Sequence, residues 1–340
     1  MALEITSSES MNFRNAFVFS KGPGTLVNKK TGEVAFRRSN GTLVHSALKK
    51  DEWEKLSNTV VEAAGPGTEM LADLPKETFE NAGVLAAQYN TVSQLTEASV
   101  SMSGRSRSQQ DAVDFNLVTT PLPVVHKEVE MGERQLLASR MSGSGGLDIH
   151  SVFEATRIVV EKLADMFYNG FAAINFNGAT IYGLTTHPDR NTGTGSDWGT
   201  VTNIHPDVVS MIAASVADHY NGPWTLDVAS TQYTQMLARY TDGSGGTAIE
   251  EVLKIPGLDA VVKSDQLADG SATLRQNSRN VVEWNQVNLG GQDINGIQIA
   301  LVEWMSGDGM THHMKVMAIA VPVIKSDYPG QSGVVHFTGI

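Results

Sequence analysis

The sequence has 340 residues, of which 41% are hydrophobic, and a net charge of −12. This length exceeds what one simple core holds, so two lobes, or one lobe with extensions, are expected. The absence of cysteine excludes disulfides, thiolate chemistry and cysteine-ligated metal, and fits assembly in a reducing cytoplasm. There is no run of about 18 apolar residues and no signal-peptide pattern at the start, so neither a transmembrane helix nor secretion is expected.

The charge is distributed unevenly along the chain. Residues 1–50 carry eight basic and three acidic side chains, a net charge of +5 that leaves −17 for the remainder. Residues 1–46 are rich in Ser, Asn, Gly and Lys, which predicts an extended arm instead of a folded domain. Such a basic arm suits nucleic acid or the acidic surface of a neighbouring subunit, with a solvated tail as the alternative. The candidate contact residues are Lys29, Lys30, Arg37 and Arg38.

Two helices are predicted after the arm. The first covers residues 48–64, and its apolar face carries Trp53, Leu56 and Val60. The sequence Gly65-Pro66-Gly67 is predicted to end it. The second helix is predicted over residues 76–89.

An exposed excursion and a β-ribbon are predicted next. Residues 98–110 are polar and broken by glycine, which is typical of the tip of an excursion between two strands. Apolar residues alternate with polar ones from Pro121, and the extended pattern is predicted to continue to Leu137. The tip offers two candidate contacts with a partner, Arg105 and Arg107. The ribbon also carries Glu128, Glu130 and Glu133, which predict a charged face for partner contact more readily than a pair of catalytic carboxylates.

A glycine-rich hinge precedes one long helix. The hinge residues are Gly143, Gly145 and Gly146. The helix runs from Asp148, a candidate cap, to Asn169-Gly170, a pair suited to the left-handed conformation that ends helices. About twenty residues make a rod of roughly 30 Å. An ordinary core helix and a lever between subunits are equally compatible with this pattern.

The second half of the chain predicts an α/β lobe and a returning strand. After a glycine-rich loop over residues 176–200, a helix is predicted from Pro206 with an apolar face at Val209, Ile212, Ala213 and Val216. A strand over residues 224–229 and a helix capped by Ser230 follow. Another short helix is predicted at residues 247–255, and strands are predicted at residues 258–263, 281–284, 297–304 and 312–324.

Catalytic motifs are missing from the sequence. It contains no Gly-x-x-x-x-Gly-Lys phosphate loop, no His-Glu-x-x-His zinc helix and no Gly-x-Ser-x-Gly nucleophile elbow. His312 and His313 are adjacent on a predicted strand, so they point to opposite faces and are poorly placed to share one metal ion. We therefore assign no catalytic, cofactor-binding or metal-binding residue, and no cofactor. An enzyme that binds a phosphorylated substrate through the glycine loops is the alternative.

Several motifs occur in an order that resembles the major capsid proteins of tailed phages. Over residues 48–325 the chain is similar to the Hong Kong 97 phage fold, and locally to its encapsulin (linocin-like) branch. The motifs are Leu48-Lys-Lys-Asp-Glu-Trp53-Glu-Lys-Leu56, Pro121-Leu-Pro-Val-Val, the helix from Asp148 to Asn169-Gly170, Gly183-Leu-Thr-Thr-His-Pro188 and Asn221-Gly-Pro-Trp-Thr-Leu226. Their collinear order, more than any single motif, carries the resemblance.

The resemblance implies an α+β fold divided into six segments. These are an N-terminal arm (1–47), the start of a peripheral domain (48–91), an extended loop (92–135), the peripheral domain with its spine helix (136–204), an axial domain (205–308), and return strands with a C-terminal arm (309–340). The hinge glycines would let the extended loop swing relative to the spine helix.

The resemblance also implies the function of a structural protein without enzymatic activity. Pentamers and hexamers would form an icosahedral shell around double-stranded DNA, assembled in the host bacterial cytoplasm without a membrane. A portal, scaffolding or cement protein is a possible further partner. The arm before Leu48 and the extension to Ile340 are longer than encapsulins usually have, which favours a viral shell over the alternative, an encapsulin-like compartment that encloses a cargo enzyme.

Overall fold

In the computed structural model the chain is described at residues 17–19, 25–28, 33–37, 43–98, 100, 102, 110–141, 149–240, 246–306, 309–327 and 329–340. It divides into two compact units. Unit 1 comprises Met1–Pro66, His126–Val159 and Ile299–Met317, and unit 2 comprises Gly67–Val125, Val160–Gln298 and Ala318–Ile340.

Unit 1 begins with four strands, which form an antiparallel sheet in chain order. They are β1 (Phe17–Phe19), β2 (Thr25–Asn28), β3 (Glu33–Arg37) and β4 (Leu43–Lys49). A paired sheet thus occupies part of the segment for which the sequence predicts an extended arm. Helix α1 (Lys50–Thr68) follows directly. Leu56 and Val60 are buried on its predicted apolar face.

The rest of unit 1 combines two helices and a strand ladder. Strand β8 (Val124–Gly132) leads into α2 (Glu133–Met141), and α3 (Ile149–Asn169) begins in this unit. Strand β17 (Ile297–Met305) runs antiparallel to the first half of β18 (Thr311–Ile324), with Trp304 opposite His313. Strand β8 pairs with β18 as well.

Unit 2 contains the ribbon, a separate two-stranded hairpin and two larger sheets. The ribbon consists of β6 (Ala86–Val92) and β7 (Phe115–Pro121). Strand β5 (Lys76–Phe79) runs parallel to β15 (Val282–Val287), which pairs with the second half of β18. A hairpin of β9 (Phe171–Phe176) and β10 (Ala179–Ile181) follows the long helix α3, and the short strand β16 (Gln292–Ile294) precedes β17.

The largest sheet of unit 2 has five strands in the order β11-β19-β14-β12-β13. They are β11 (Asn191–Thr194), β12 (Trp224–Ala229), β13 (Leu258–Ser264), β14 (Ser271–Gln276) and β19 (Val334–Thr338). Helices α4 (Ile204–Ala217), α5 (Ser230–Met236) and α6 (Ala248–Leu253) cover one face and close an apolar core. The last strand lies within the sheet, where the sequence predicts a C-terminal arm.

Many predicted elements are confirmed. The long helix ends at Asn169, and Gly170 has a positive φ of 70° as the Asn-Gly pair predicts. Strands β12, β13, β15, β17 and β18 lie where the pattern places them. The short helix predicted at residues 247–255 is α6, and the structure adds a reciprocal capping box between Thr247 and Glu250. His312 is buried while His313 is not, as adjacent residues on a strand require.

Three backbone predictions are wrong. The segment predicted as a helix at residues 76–89 forms β5 and β6, because each pairs with a strand distant in sequence. The ribbon does not continue to Leu137, since residues 133–141 are good helix formers and form α2. Within residues 176–200, predicted as a loop, β10 and β11 form.

Two predictions about helix ends and faces are wrong as well. Ser230 is the first residue of α5 and not its cap, and its hydroxyl bonds Asp265 instead. In α4 the buried residues are Ile204, Val208, Met211 and Ser215, whereas Val209 and Val216 are exposed. This helix has apolar residues on both faces, so periodicity alone cannot identify the face that packs on the sheet.

Gly67 does not end helix α1, which continues to Thr68. A Cβ atom built on Gly67 would lie 2.4 Å from Cγ1 of Val160, so glycine here lets α1 approach α3. Val160 is buried and its β-branched side chain is stiff.

We expect Gly67→Ala to lower the free energy of unfolding by about 1–3 kcal/mol, because Val160 cannot move aside easily. Gly65→Ala is the matched control, since a Cβ there meets nothing within 4 Å and alanine favours the helix. Urea titration followed by circular dichroism measures both. Equal effects of the two substitutions would contradict this explanation.

Candidate functional site

The described residues contain no group of three His, Asp or Glu side chains arranged to hold a metal ion. In the same part of the chain, no helix combines the length and apolarity needed to cross a membrane. The features that remain to be explained are an exposed apolar surface, a strip of ion pairs and a buried ionic network.

The ribbon of β6 and β7 has two unlike faces. Its register places Val92 opposite Phe115, and the next position on the same face of β7 is Leu117. All three are exposed, with Phe115 72% accessible. On the other face Ala87, Thr91 and Thr120 are buried. One face is therefore partly buried within the chain, although Asn116 at its end is exposed, while the other presents these apolar side chains to solvent beside the polar Gln88 and Asn90.

Apolar residues that flank the ribbon strands in sequence are exposed as well. Further exposed residues of unit 2 around the ribbon are Leu85, Leu95, Val100 and Met102. Large exposed apolar side chains that share one strand face, as Phe115 and Leu117 do, are typical of a surface that another molecule covers.

The base of the ribbon is anchored in unit 2. The Tyr89 hydroxyl donates a hydrogen bond to the Ile324 carbonyl at 3.3 Å, and burial raises the pKa of Tyr89. A groove of about 390 Å³ lies between the ribbon, the β9–β10 hairpin and the end of β18. The hairpin turns at Asn177 and Gly178, both with positive φ.

Acidic residues of β8 and α2 pair with basic residues of β18 in unit 1. Glu128 lies 2.5 Å from Lys315, Glu130 lies 3.5 Å from His313, and Glu133 contacts the buried His312. The bond from Lys315 lowers the pKa of Glu128. The sequence predicts a carboxylate face for contact with a partner, but these carboxylates are paired within the chain.

A buried ionic network lies on the second face of the five-stranded sheet. Arg275 is fully buried, and its Nε donates to Asp227 at 2.8 Å while its Nη2 donates to Asp73 at 3.0 Å. The Tyr168 hydroxyl, at the end of α3, donates to Asp227 at 3.2 Å. Asn277 accepts from Nη1 of Arg275 at 2.6 Å. The network joins the long helix, the sheet and the turn at Asp73, all within unit 2.

Electrostatics keeps the Arg275 guanidinium charged, although burial raises the pKa of its partner Asp227 against the opposing effect of Arg275. Burial by itself would lower the pKa of Arg275, but the carboxylates of Asp227 and Asp73 raise it above the ordinary value. Burial, reinforced by Asp227, raises the pKa of Tyr168 well above its usual range, so its hydroxyl remains a donor. Sequence patterns missed this network because its members are up to 202 positions apart.

Of the contact and hinge residues predicted from the sequence, only Arg37 belongs to the part of the chain that the structure describes. Arg37 is the last residue of β3. The other predicted residues lie outside the described part of the chain: Lys29, Lys30, Arg38, Arg105, Arg107, Gly143, Gly145 and Gly146. Their predicted roles therefore stay predictions, as do the predicted domain boundaries.

Residues 42–337 match the model of a protein family described as "Family of unknown function (DUF6260)". The chain belongs to this family. No curated protein matches the sequence. Membership assigns no activity, so the solved structures that share the fold are the more informative comparison.

Three solved structures show which fold this family member has. A virus-like particle from Pyrococcus furiosus matches with a TM-score of 0.61 and 15% identity, over 84% of this chain and 98% of that one. The capsid of Myoviridae phage XM1 matches with a TM-score of 0.59 and 12% identity, over 80% of this chain and 92% of that one. A structure from Mycobacterium phage Ogopogo matches with a TM-score of 0.54 and 14% identity, over 79% of this chain and 91% of that one. The chain has the Hong Kong 97 phage capsid fold, as its motif order predicts.

The Glu128–Lys315 pair makes a testable contribution to pH dependence. Because the pKa of Glu128 is lowered in the folded protein, the pair stabilises the fold at neutral pH, and this stabilisation is lost as the pH falls through that pKa. We expect Lys315→Met to raise the pKa of Glu128 towards its ordinary value, measured by NMR titration. Lys127→Met, on the same strand, is the control, and an unchanged pKa in Lys315→Met would refute the assignment.

Proposed function

We propose that this protein is a major capsid protein, which self-assembles as pentamers and hexamers into an icosahedral shell around double-stranded DNA. The observation that carries the proposal is the exposed apolar face of the ribbon at Val92, Phe115 and Leu117. In a fold shared with capsid subunits, a second copy of the chain is the partner that covers such a face. The protein's role is then structural and not enzymatic.

The energetic argument rests on the area that subunits bury. Removing apolar surface from water contributes about 25 cal/mol per Å². A ribbon that lies over an adjacent subunit repeats this gain at every contact of the shell. Contacts between unlike surfaces close into rings when the rotation between subunits allows it. Many moderate contacts, and not one strong bond, would resist the pressure of packaged DNA.

A second surface supports the proposed ring contacts. Helix α4 exposes Val209, Ala213 and Val216 on the face opposite its buried residues. Its one acidic residue, Asp207, accepts bonds from the Ser196 amide and the Trp198 indole. The exposed face is thus free of Asp, Glu, Lys and Arg. Packing of residues 205–308 around five-fold and six-fold axes would bury it.

The remaining parts of the proposal concern residues that, except for Arg37, lie outside the described structure. We assign Lys29, Lys30, Arg37 and Arg38 to contact with DNA or with a neighbouring subunit, and Arg105 and Arg107 to contacts at the ribbon tip. We assign Gly143, Gly145 and Gly146 to a hinge between ribbon and long helix. Assembly in the host bacterial cytoplasm, and portal, scaffolding or cement partners, complete the proposal.

The Pyrococcus furiosus particle favours one second candidate, a protein compartment that encloses a cargo enzyme. That structure matches this chain over 98% of its own length. The content of purified particles distinguishes the two functions. Nuclease-protected DNA of uniform length is expected for a capsid, whereas a co-purified enzyme without DNA would establish a compartment.

We expect Phe115→Asp with Leu117→Asp to abolish shells while the subunit stays folded, because two charges would be buried at the contact. Asn116→Asp adds a charge to the other side of the same strand and is the control. Electron microscopy and sedimentation detect the particles, and circular dichroism reports the fold. Normal shells from the double variant would contradict the proposal.

A further inference from the structure

The five-stranded sheet of unit 2 is apolar on one face and polar on the other. On the apolar face Leu226, Val228 and Leu274 belong to the core beneath the helices. On the other face the register places Thr225 opposite Arg275 and Asp227 opposite Thr273, and all four are fully buried. A sheet covered on both sides could have been apolar on both, so the polar face requires a separate explanation.

Stability alone does not explain a buried ionic network. The desolvation of two or three charges offsets most of their attraction, and well-packed apolar residues of similar volume often stabilise a fold equally well or better. A guanidinium makes directional interactions, which an apolar side chain does not. Its planar fork holds each hydrogen-bond acceptor at a fixed distance and angle.

The acceptors of Arg275 lie on separate elements. Asp227 is on β12, and it also accepts from Tyr168 in the last turn of α3. Asp73 follows the 3-10 turn Glu69–Leu71 and accepts from two atoms, Nη2 of Arg275 and the Thr225 hydroxyl. The guanidinium also lies 5.7 Å from the centre of the Phe167 ring. One side chain therefore orients the end of the long helix relative to the sheet.

We propose that Arg275, Asp227, Asp73 and Tyr168 form an angular joint that sets the inclination between α3 and the five-stranded sheet, and thereby the curvature of the shell. This inference rests on the proposed capsid function. In a closed shell a small change of angle in each subunit accumulates around every ring, so the rings no longer close on one particle size. These four are positioning residues, since they act on assembly through the geometry of other surfaces.

The test replaces the network by apolar side chains of similar size. Arg275→Met, Asp227→Leu and Tyr168→Phe are combined, so that no buried charge or hydroxyl of the three is left unpaired. Shells of the full chain are imaged by cryo-electron microscopy and weighed by charge-detection mass spectrometry, well below the melting temperature. We expect loss of the single size class, with several diameters, tubes or open sheets.

A matched control removes another buried charge of the same unit. Glu283 is 4% exposed and pairs with Lys325 and Arg279, neither of which belongs to the Arg275 network. Glu283→Gln is expected to lower the melting temperature without changing the particle size. A merely structural role of the Arg275 network predicts the same behaviour for the triple variant. Uniform shells of wild-type diameter from the triple variant would overturn the inference.

Milder variants decide the question if the triple variant does not fold. Tyr168→Phe removes one hydroxyl and keeps the edge-to-face packing of the ring with Phe167. Asp73→Asn removes one charge at a half-exposed position. Mixed particle sizes from these variants would support the joint, and uniform sizes would overturn it. Absence of shells from the wild-type chain would instead refute the proposed function, and the inference with it.

Discussion

The buried guanidinium of Arg275 imposes a constraint that organises much of unit 2. A charge without partners in the interior costs several kcal/mol, so carboxylates and other acceptors must be brought to it. They come from the turn at Asp73, from β12 at Asp227 and from Asn277, which follows β14 directly. Tyr168 then links the long helix to the same group. Segments that are remote in sequence are thereby held in one relative orientation.

The ribbon, unlike the Arg275 network, leaves side chains without partners inside the chain. The ionic network is satisfied entirely within the chain, whereas the outer face of β6 and β7 leaves Val92, Phe115 and Leu117 in water. Its inner face is packed and its base is held by Tyr89, so the apolar side chains are presented on a supported element. A folded chain that leaves apolar side chains exposed is well suited to assembly, because those side chains remain available for contact with another molecule.

The comparison of α2 with β5 and β6 shows where sequence patterns succeed and fail. Residues 133–141 are mostly good helix formers, so their helix propensity by itself indicates α2. No local feature reveals β5 and β6, because their strand character comes from β15 and β7, which supply the hydrogen bonds. Gly67 shows a third case, in which a residue that commonly ends helices serves close packing of α1 on α3.

Sequence patterns alone predict the long helix with its Asn-Gly end, the apolar strands β12 and β18, and the motif order that identifies the fold. These features depend on residues close together in the chain, where periodicity and capping operate. Packing between distant segments determines which face of α4 is buried, that residues 334–338 complete the five-stranded sheet, and that Glu128, Glu130 and Glu133 are paired within the chain. The same long-range packing forms the Arg275 network. Its hydrogen-bond partners are up to 202 residues apart, so they leave no periodic pattern in a single sequence.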